Sequence, residues 1–258
     1  MKLYTLVTGA SEGIGREFAR IAARKGRNVI LTARSVDKLA ALADDLRAED
    51  VEVVVIPADL STPDAADTLF AEATKDRAID TFINNAGLGH NGAFADAEGW
   101  PREEATITVN VLAATRLLKL MVPHMTALDA KARIVNVASV AGFVPGPGMA
   151  VYHASKAYFL SLSEAVAHEV KGSNVTVTAL CPGPTRTNFF DAADMTDVAM
   201  VQGDLPTAYS VALAGWDGAV TGAQVVVPGA MNKMLATLPR IAPRGVIAGI
   251  ASRFLERS

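Results

Sequence analysis

The chain has 258 residues, 50% apolar and 20% charged, which suits one large α/β domain or two small ones with a sizeable core. Its 24 basic residues against 27 acidic ones give a formal charge of −3, and no Lys/Arg cluster points to nucleic acid as a partner. Cys181 is the single cysteine, which excludes an internal disulfide, fits a reducing compartment and makes the cytoplasm the expected location.

The first residues lack the apolar region of a signal peptide; they run directly into a strand and turn. Residues 3–7 read as a short buried strand, followed by a helix over 13–25 with Ile14, Phe18, Ile21 and Ala22 on one face. Residues 28–32 are the next apolar run, and Ser35 is placed to cap a helix carrying Leu39, Leu42 and Leu46. The β-branched stretch 51–56 predicts a strand buried on both faces. Thr62-Pro63 opens another helix with proline in its first turn. Strands follow at 81–83, 133–137 and 175–180, a long helix at 150–170, and a last strand at 224–227.

This alternation, with no linker, repeat or low-complexity tract, predicts an α/β fold. The expected form is a single-domain doubly wound parallel sheet, a Rossmann fold with helices on both faces, over residues 1–258. No stretch of about 18 uncharged apolar residues reads as a membrane span. Residues 187–207 are polar and aromatic at once, as suits a substrate lid. Residues 231–258 form an amphipathic tail, with apolar positions from Met231 to Leu255 among Lys233, Arg240, Arg244, Arg253 and Arg257. Pro239 and Pro243 divide it into two short helices. Such a tail has three open destinations: over the substrate cleft, against another subunit, or on a membrane surface.

The chemistry is concentrated in Tyr152-His-Ala-Ser-Lys156, with Ser139 upstream. Side chains four apart share a helix face, so a phenol and an ammonium point the same way. A free tyrosine titrates near pH ~10, and a neighbouring positive charge favours the phenolate. The pair therefore suits proton transfer to or from a substrate oxygen.

Thr8-Gly-Ala-Ser-Glu-Gly-Ile-Gly15 lies where the first strand gives way to the first helix. Glycines there let the backbone approach a pyrophosphate at a helix N-terminus. The spacing Gly9-x3-Gly13-x-Gly15 is not the commonest dinucleotide fingerprint, and taken alone it is a weak signal. The second strand ends at Ala33-Arg34. Ala33 offers no carboxylate for the ribose of NAD, whereas the Arg34 fork suits a 2′-phosphate, so NADP(H) is expected over NAD(H). Asp37 falls in the first turn of the next helix, where an acid complements the dipole. Glu12, inside the glycine turn, counts against a phosphate nearby.

Together these residues resemble the short-chain dehydrogenase/reductase superfamily, in particular its NADP-preferring carbonyl reductases and alcohol dehydrogenases. The resemblance runs from Leu3 to Thr187. Gly9, Ser11, Glu12, Gly13, Ile14 and Gly15 match its TGxxxGxG turn. Asp59, followed by Leu60, matches its adenine-contacting acid, and Asn84-Asn85-Ala86-Gly87 its NNAG strand end. Asn110, Ser139, Tyr152 and Lys156 match its catalytic four, and Pro182-Gly183 with Thr185 and Thr187 its nicotinamide-holding segment. The usual Gly-Gly final turn is absent; the ending looks like a subgroup of poorly specified reductases.

The resemblance implies hydride transfer between NADP(H) and a carbonyl or alcohol, with Tyr152 giving or taking the proton. It implies that Ser139 holds the reacting oxygen and that Lys156 binds the nicotinamide ribose and lowers the Tyr152 pKa. Asn110 would hold a water linking Lys156 to solvent. Judged singly, Ser139 is equally a turn cap, and Asn110 a residue satisfying backbone groups where a helix bends. Leu88, Phe143, Val144, Met149, Phe189, Phe190 and Met195 are the expected substrate side, favouring a small apolar carbonyl or alcohol. His90, His124, His153 and His168 lack metal-ligand spacing, so no metal is expected. His153, next to Tyr152, is expected to point elsewhere on the helix; His90 either lines the cleft or sits in a surface loop. The family implies a homodimer or homotetramer, often joined through the helix that carries Tyr152. The alternative of a different class is a non-catalytic NADP(H)-binding regulatory protein.

Overall fold

A computed structural model of the chain describes residues 2–195, 203–240 and 249. Among these, seven parallel strands form one sheet in the order β3-β2-β1-β4-β5-β6-β7. They are β1 (Leu3–Thr8), β2 (Asn28–Thr32), β3 (Val53–Val55), β4 (Ala78–Asn84), β5 (Ala132–Val137), β6 (Val175–Leu180) and β7 (Val225–Val226).

Successive side chains of a strand face opposite sides, and the core divides accordingly. Val7, Val29 and Leu31 join one apolar cluster, while Leu6 and Ile30 join the other. The first cluster is completed by Phe18 of α1 (Gly13–Arg24), Leu39 of α2 (Val36–Arg47) and Trp216 of α8 (Ala208–Thr221). The second takes Leu69 of α3 (Ala65–Thr74), Leu117 and Met121 of α5 (Ala114–Thr126) and Ala167 of α6 (Ala150–Glu169). Helices thus cover both faces, as expected of a doubly wound sheet.

Several local expectations are corrected. The stretch 51–56 contributes only Val53–Val55, an edge strand with half-buried residues, because β2 pairs it on one side alone. Pro63 precedes α3; the left-handed Asp64 (φ 58°) occupies the cap position. Ser35 sits at the N-cap of α2, but its side chain makes no capping bond. Four helices were not expected: α4 (Trp100–Ile107); α5, into which α4 passes through a π-helical segment (Thr108–Ala113); the short α7 (Phe189–Ala192); and α8. The run Ala97–Thr126 is long and apolar enough to cross a membrane, yet Leu117, Leu118, Met121 and Met125 bury one of its faces against the sheet.

The topology places the site. Strand order reverses between β1 and β4, and the crevice at the carboxyl ends of the strands opens there. Ser139 follows β5, Pro182 and Gly183 follow β6, and Tyr152 and Lys156 stand on the first turns of α6. Beyond β7, α9 (Ala230–Thr237) and a 3-10 turn (Leu238–Arg240) return across the opening. The predicted second half of the tail, beyond Arg240, lies outside the described residues except Gly249, as do residues 196–202 of the predicted lid.

Candidate active site

One cleft of about 830 Å³ runs along the carboxyl ends of the strands. The glycine turn and Arg34 are at one end, and Ser139, Tyr152 and Lys156 at the other. Of the expected catalytic and cofactor-binding residues, all line this cleft except Gly15 and Asn110, which stand behind its wall.

The glycine turn owes its shape to close approaches. Gly9 and Gly13 have φ of 65° and 55°, the left-handed region that glycine enters without penalty. A Cβ on Gly15 would stand 2.5 Å from Asn85 Nδ2 and would overlap the Gly9 carbonyl. Asn85 occupies that space: its Nδ2 donates to Thr8 O at 2.9 Å and to Gly9 O at 3.3 Å. The NNAG strand end therefore braces the turn, while Asn84, fully buried, donates to Ala114 O at 3.0 Å.

These residues fit a dinucleotide. The turn exposes backbone at the start of α1, and the Thr32 hydroxyl is buried beside the cleft with no hydrogen-bond partner. Arg34 is exposed at the mouth and makes no ion pair among the described residues. The Asp59 carboxylate accepts from Ser61 N at 3.0 Å and Ser61 Oγ at 2.7 Å, which with the nearby Arg34 charge holds it below its ordinary range. Glu12 is neutralised: its carboxylate pairs with Lys38 and accepts from Asn188 Nδ2 at 3.1 Å, and both bonds depress its pKa.

At the other end, Ser139 caps a 3-10 turn (Val140–Phe143), its Oγ accepting from Ala141 N at 3.1 Å and donating to Pro182 O at 3.4 Å. Tyr152 is half-buried, its side chain lining the cleft. Burial pushes its phenol up to about 12, with the Ser139 hydrogen bond working against that rise. Lys156 Nζ donates to Val137 O at 2.9 Å and sits 5.8 Å from the Tyr152 ring centroid. Burial brings its ammonium down to about 8. The expected lowering of the Tyr152 pKa is therefore outweighed, because desolvation penalises a phenolate more than this hydrogen bond relieves it.

Asn110 lies in the π-helical segment and clamps Leu88: Oδ1 accepts from Leu88 N and Nδ2 donates to Leu88 O, each at 2.8 Å. Its Nδ2 also donates to Ser155 Oγ at 3.0 Å. Oδ1 keeps one lone pair near Gly87, where a Cβ would lie 3.3 Å from it and 3.4 Å from Lys156 Nζ. This is the backbone-satisfying role open to it from sequence.

The apolar wall contains Leu88, Val144, Met149, Phe189, Phe190 and Met195, as expected; Phe143 instead packs with Leu160 and Cys181 behind it. The Phe189 ring lies 5.4 Å from that of Tyr152. Met231, Asn232, Leu235 and Leu238 close the opposite side, so the tail's described part covers the cleft. Only the positive-φ turn at Gly229 (φ 89°) marks that return. His153 turns to a different side of the helix from Tyr152: it is buried, with Nδ1 2.8 Å from Val144 O, and borders the cleft. His90 is not on the wall; it packs between Gly92 and Gly99, with Nδ1 3.4 Å from Arg102 Nη1. Among the described residues no three His, Cys, Asp or Glu side chains gather as a metal site.

The family model for short chain dehydrogenases matches residues 4–197. The chain belongs to the short-chain dehydrogenase family. The 7beta-hydroxysteroid dehydrogenase of Mediterraneibacter gnavus is 34% identical over 185 residues, 70% of this chain and 68% of that one. A short-chain dehydrogenase from Sphingobium yanoikuyae, solved with NADPH, is 32% identical with a TM-score of 0.79, covering 93% of this chain and 96% of that one. A solved 7beta-hydroxysteroid dehydrogenase superposes with a TM-score of 0.86 at 28% identity, covering 96% of each chain. As a member, this protein is an oxidoreductase.

Proposed function

We propose that this dehydrogenase is NADP(H)-dependent and interconverts a carbonyl and a secondary alcohol on a mostly apolar substrate. The observation carrying this reading is that Ser139, Tyr152 and Lys156 meet in one cleft with the glycine turn and the exposed Arg34. The relative solved with NADPH supports the choice of cofactor, and the steroid dehydrogenases support a bulky apolar substrate.

The dinucleotide, when bound, supplies or takes the hydride. Arg34 would hold its 2′-phosphate, the backbone of the glycine turn its pyrophosphate, and residues 182–187 its nicotinamide end. Tyr152 stays protonated through neutral pH, so its phenol is ready to give a proton to a substrate oxygen. The Ser139 hydroxyl fixes that oxygen's place at no reorganisation cost. Lys156 carries its charge below about pH 8 and stabilises the phenolate that remains after the proton leaves. Residues 187–195 and the tail wall then form a lid that keeps water from the reacting end. Exposed Leu112 and Tyr158 on neighbouring helices support self-association. The buried thiol of Cys181 supports a reducing compartment such as the cytoplasm. A purely regulatory dinucleotide binder has no use for these three groups in register.

A Tyr152→Phe variant tests the proposal. Ketone reduction with NADPH should fall about 10²- to 10⁴-fold while NADPH binding, read by its fluorescence, stays within about twofold. Full turnover on every substrate that the wild type accepts would remove Tyr152 as proton donor.

A further inference from the structure

His153 is only 8% exposed, and its ring lines the reacting end of the cleft. Its Nδ1 lies 2.8 Å from the carbonyl oxygen of Val144. A carbonyl only accepts, so Nδ1 carries the proton. A second backbone contact joins the ring to Ala141. Both partners belong to the loop 140–148, which connects Ser139 to α6 and has one 3-10 turn as its regular structure.

This loop lies flat on α6. A Cβ on Gly142 would stand 2.8 Å from the Lys156 carbonyl oxygen, and one on Gly146 would overlap the His153 ring. Of the loop's backbone hydrogen bonds, Gly142 N to Ser139 O at 3.0 Å and Val144 N to Ala141 O at 3.4 Å stay within it, and Gly146 O accepts from Met149 N, at the N-cap of α6, at 3.0 Å. Among the described residues, the side-chain hydrogen bonds that tie 140–148 to α6 come from His153. Its ring also meets that of Tyr152 edge-on, with centroids 6.0 Å apart at 78°.

We propose that His153 is a positioning residue: it anchors the loop 140–148 to the helix bearing Tyr152 and thereby holds Ser139 opposite the phenol. The proposal rests on the reading of Ser139 and Tyr152 given above. Tyr152 and His153 are consecutive on a rigid helix, so one turn presents the phenol to the cleft while the next side chain grips the loop. Neither ring can shift without the other, and the Ser139–Tyr152 distance is set by both.

The test compares His153→Leu, His153→Asn and Gly146→Ala, with Ser139→Ala as reference. In His153→Leu, amide exchange over 140–148 accelerates and kcat falls about 10- to 100-fold, the scale of a misplaced reacting group, while the NADPH dissociation constant holds within about twofold. The His153→Asn amide donates to Val144 O and restores both slow exchange and turnover. Gly146→Ala, which crowds the same ring from the loop side, repeats the losses of His153→Leu. Unchanged exchange and kcat in His153→Leu, or His153→Asn no better than His153→Leu, overturns the proposal. If Ser139→Ala keeps wild-type turnover while His153→Leu loosens the loop, the anchor stands and the catalytic reading of Ser139 falls.

Discussion

Lys156 Nζ donates to the Val137 carbonyl oxygen across 2.9 Å, which fastens its ammonium to the tip of β5. That bond holds the cation beside Tyr152, and among the described residues no carboxylate pairs with it. The lysine is buried, and burial brings it down to about 8.

A pH dependence follows from that burial. An open chain keeps its lysines protonated to about pH 10.4, so between about 8 and 10.4 the unfolded state binds the proton that folded Lys156 has released. Stability from this group therefore rises with pH across that window. Tyr152 acts in the opposite sense above its ordinary value, since its folded pKa is about 12. Urea midpoints at pH 7 to 9.5 should show the wild type gaining on Lys156→Met as pH rises. A constant difference between the two proteins would contradict a buried, depressed ammonium.

On the proposed reading, Arg34 governs the choice of cofactor. Losing a charge-assisted hydrogen bond costs about 1.5–3 kcal/mol, so Arg34→Asp should weaken NADPH binding about tenfold or more and leave NADH nearly unchanged. Calorimetric titration with both nucleotides decides it; equal losses would end the 2′-phosphate role.

Asn110 is expected to matter for stability more than for proton traffic. Asn110→Leu leaves the buried Leu88 N–H and C=O without their 2.8 Å partners. Each orphaned group costs about 1–3 kcal/mol, so thermal unfolding should move down by several degrees. A variant as stable as wild type but slow in turnover would favour the water relay instead.

On the proposed reading, Leu235, which lines the cleft, sets room for the substrate. Leu235→Ala should improve kcat/KM for bulky ketones relative to small ones by about tenfold, and Leu235→Trp should reverse the order, as expected when pocket volume changes by a few methylenes. A ketone series of graded size reads both. Identical selectivity in all three proteins would place the substrate away from α9.

Features resting on neighbours in the chain were legible in advance. The spacing of Tyr152 and Lys156 on one helix face, the glycine turn after β1 and the strand periodicity all depend on contacts within a few residues. Asp37 in the first turn of α2 is read the same way. The pairing of Glu12 was not legible because its partners, Lys38 and Asn188, come from elsewhere in the chain. The stretch 51–56 was misjudged because burial on both faces depends on a strand's place in the sheet, not on its own residues.

Linear order was thus enough to name the family and the fold, since helix and strand geometry turn spacing into direction. Tertiary packing decided the rest. It raised the Tyr152 phenol instead of lowering it, set Asn110 against Leu88, set His153 against the loop 140–148 and brought α9 across the mouth of the cleft. Those outcomes depend on desolvation and on contacts between segments far apart in the chain, and neither quantity is carried by local spacing.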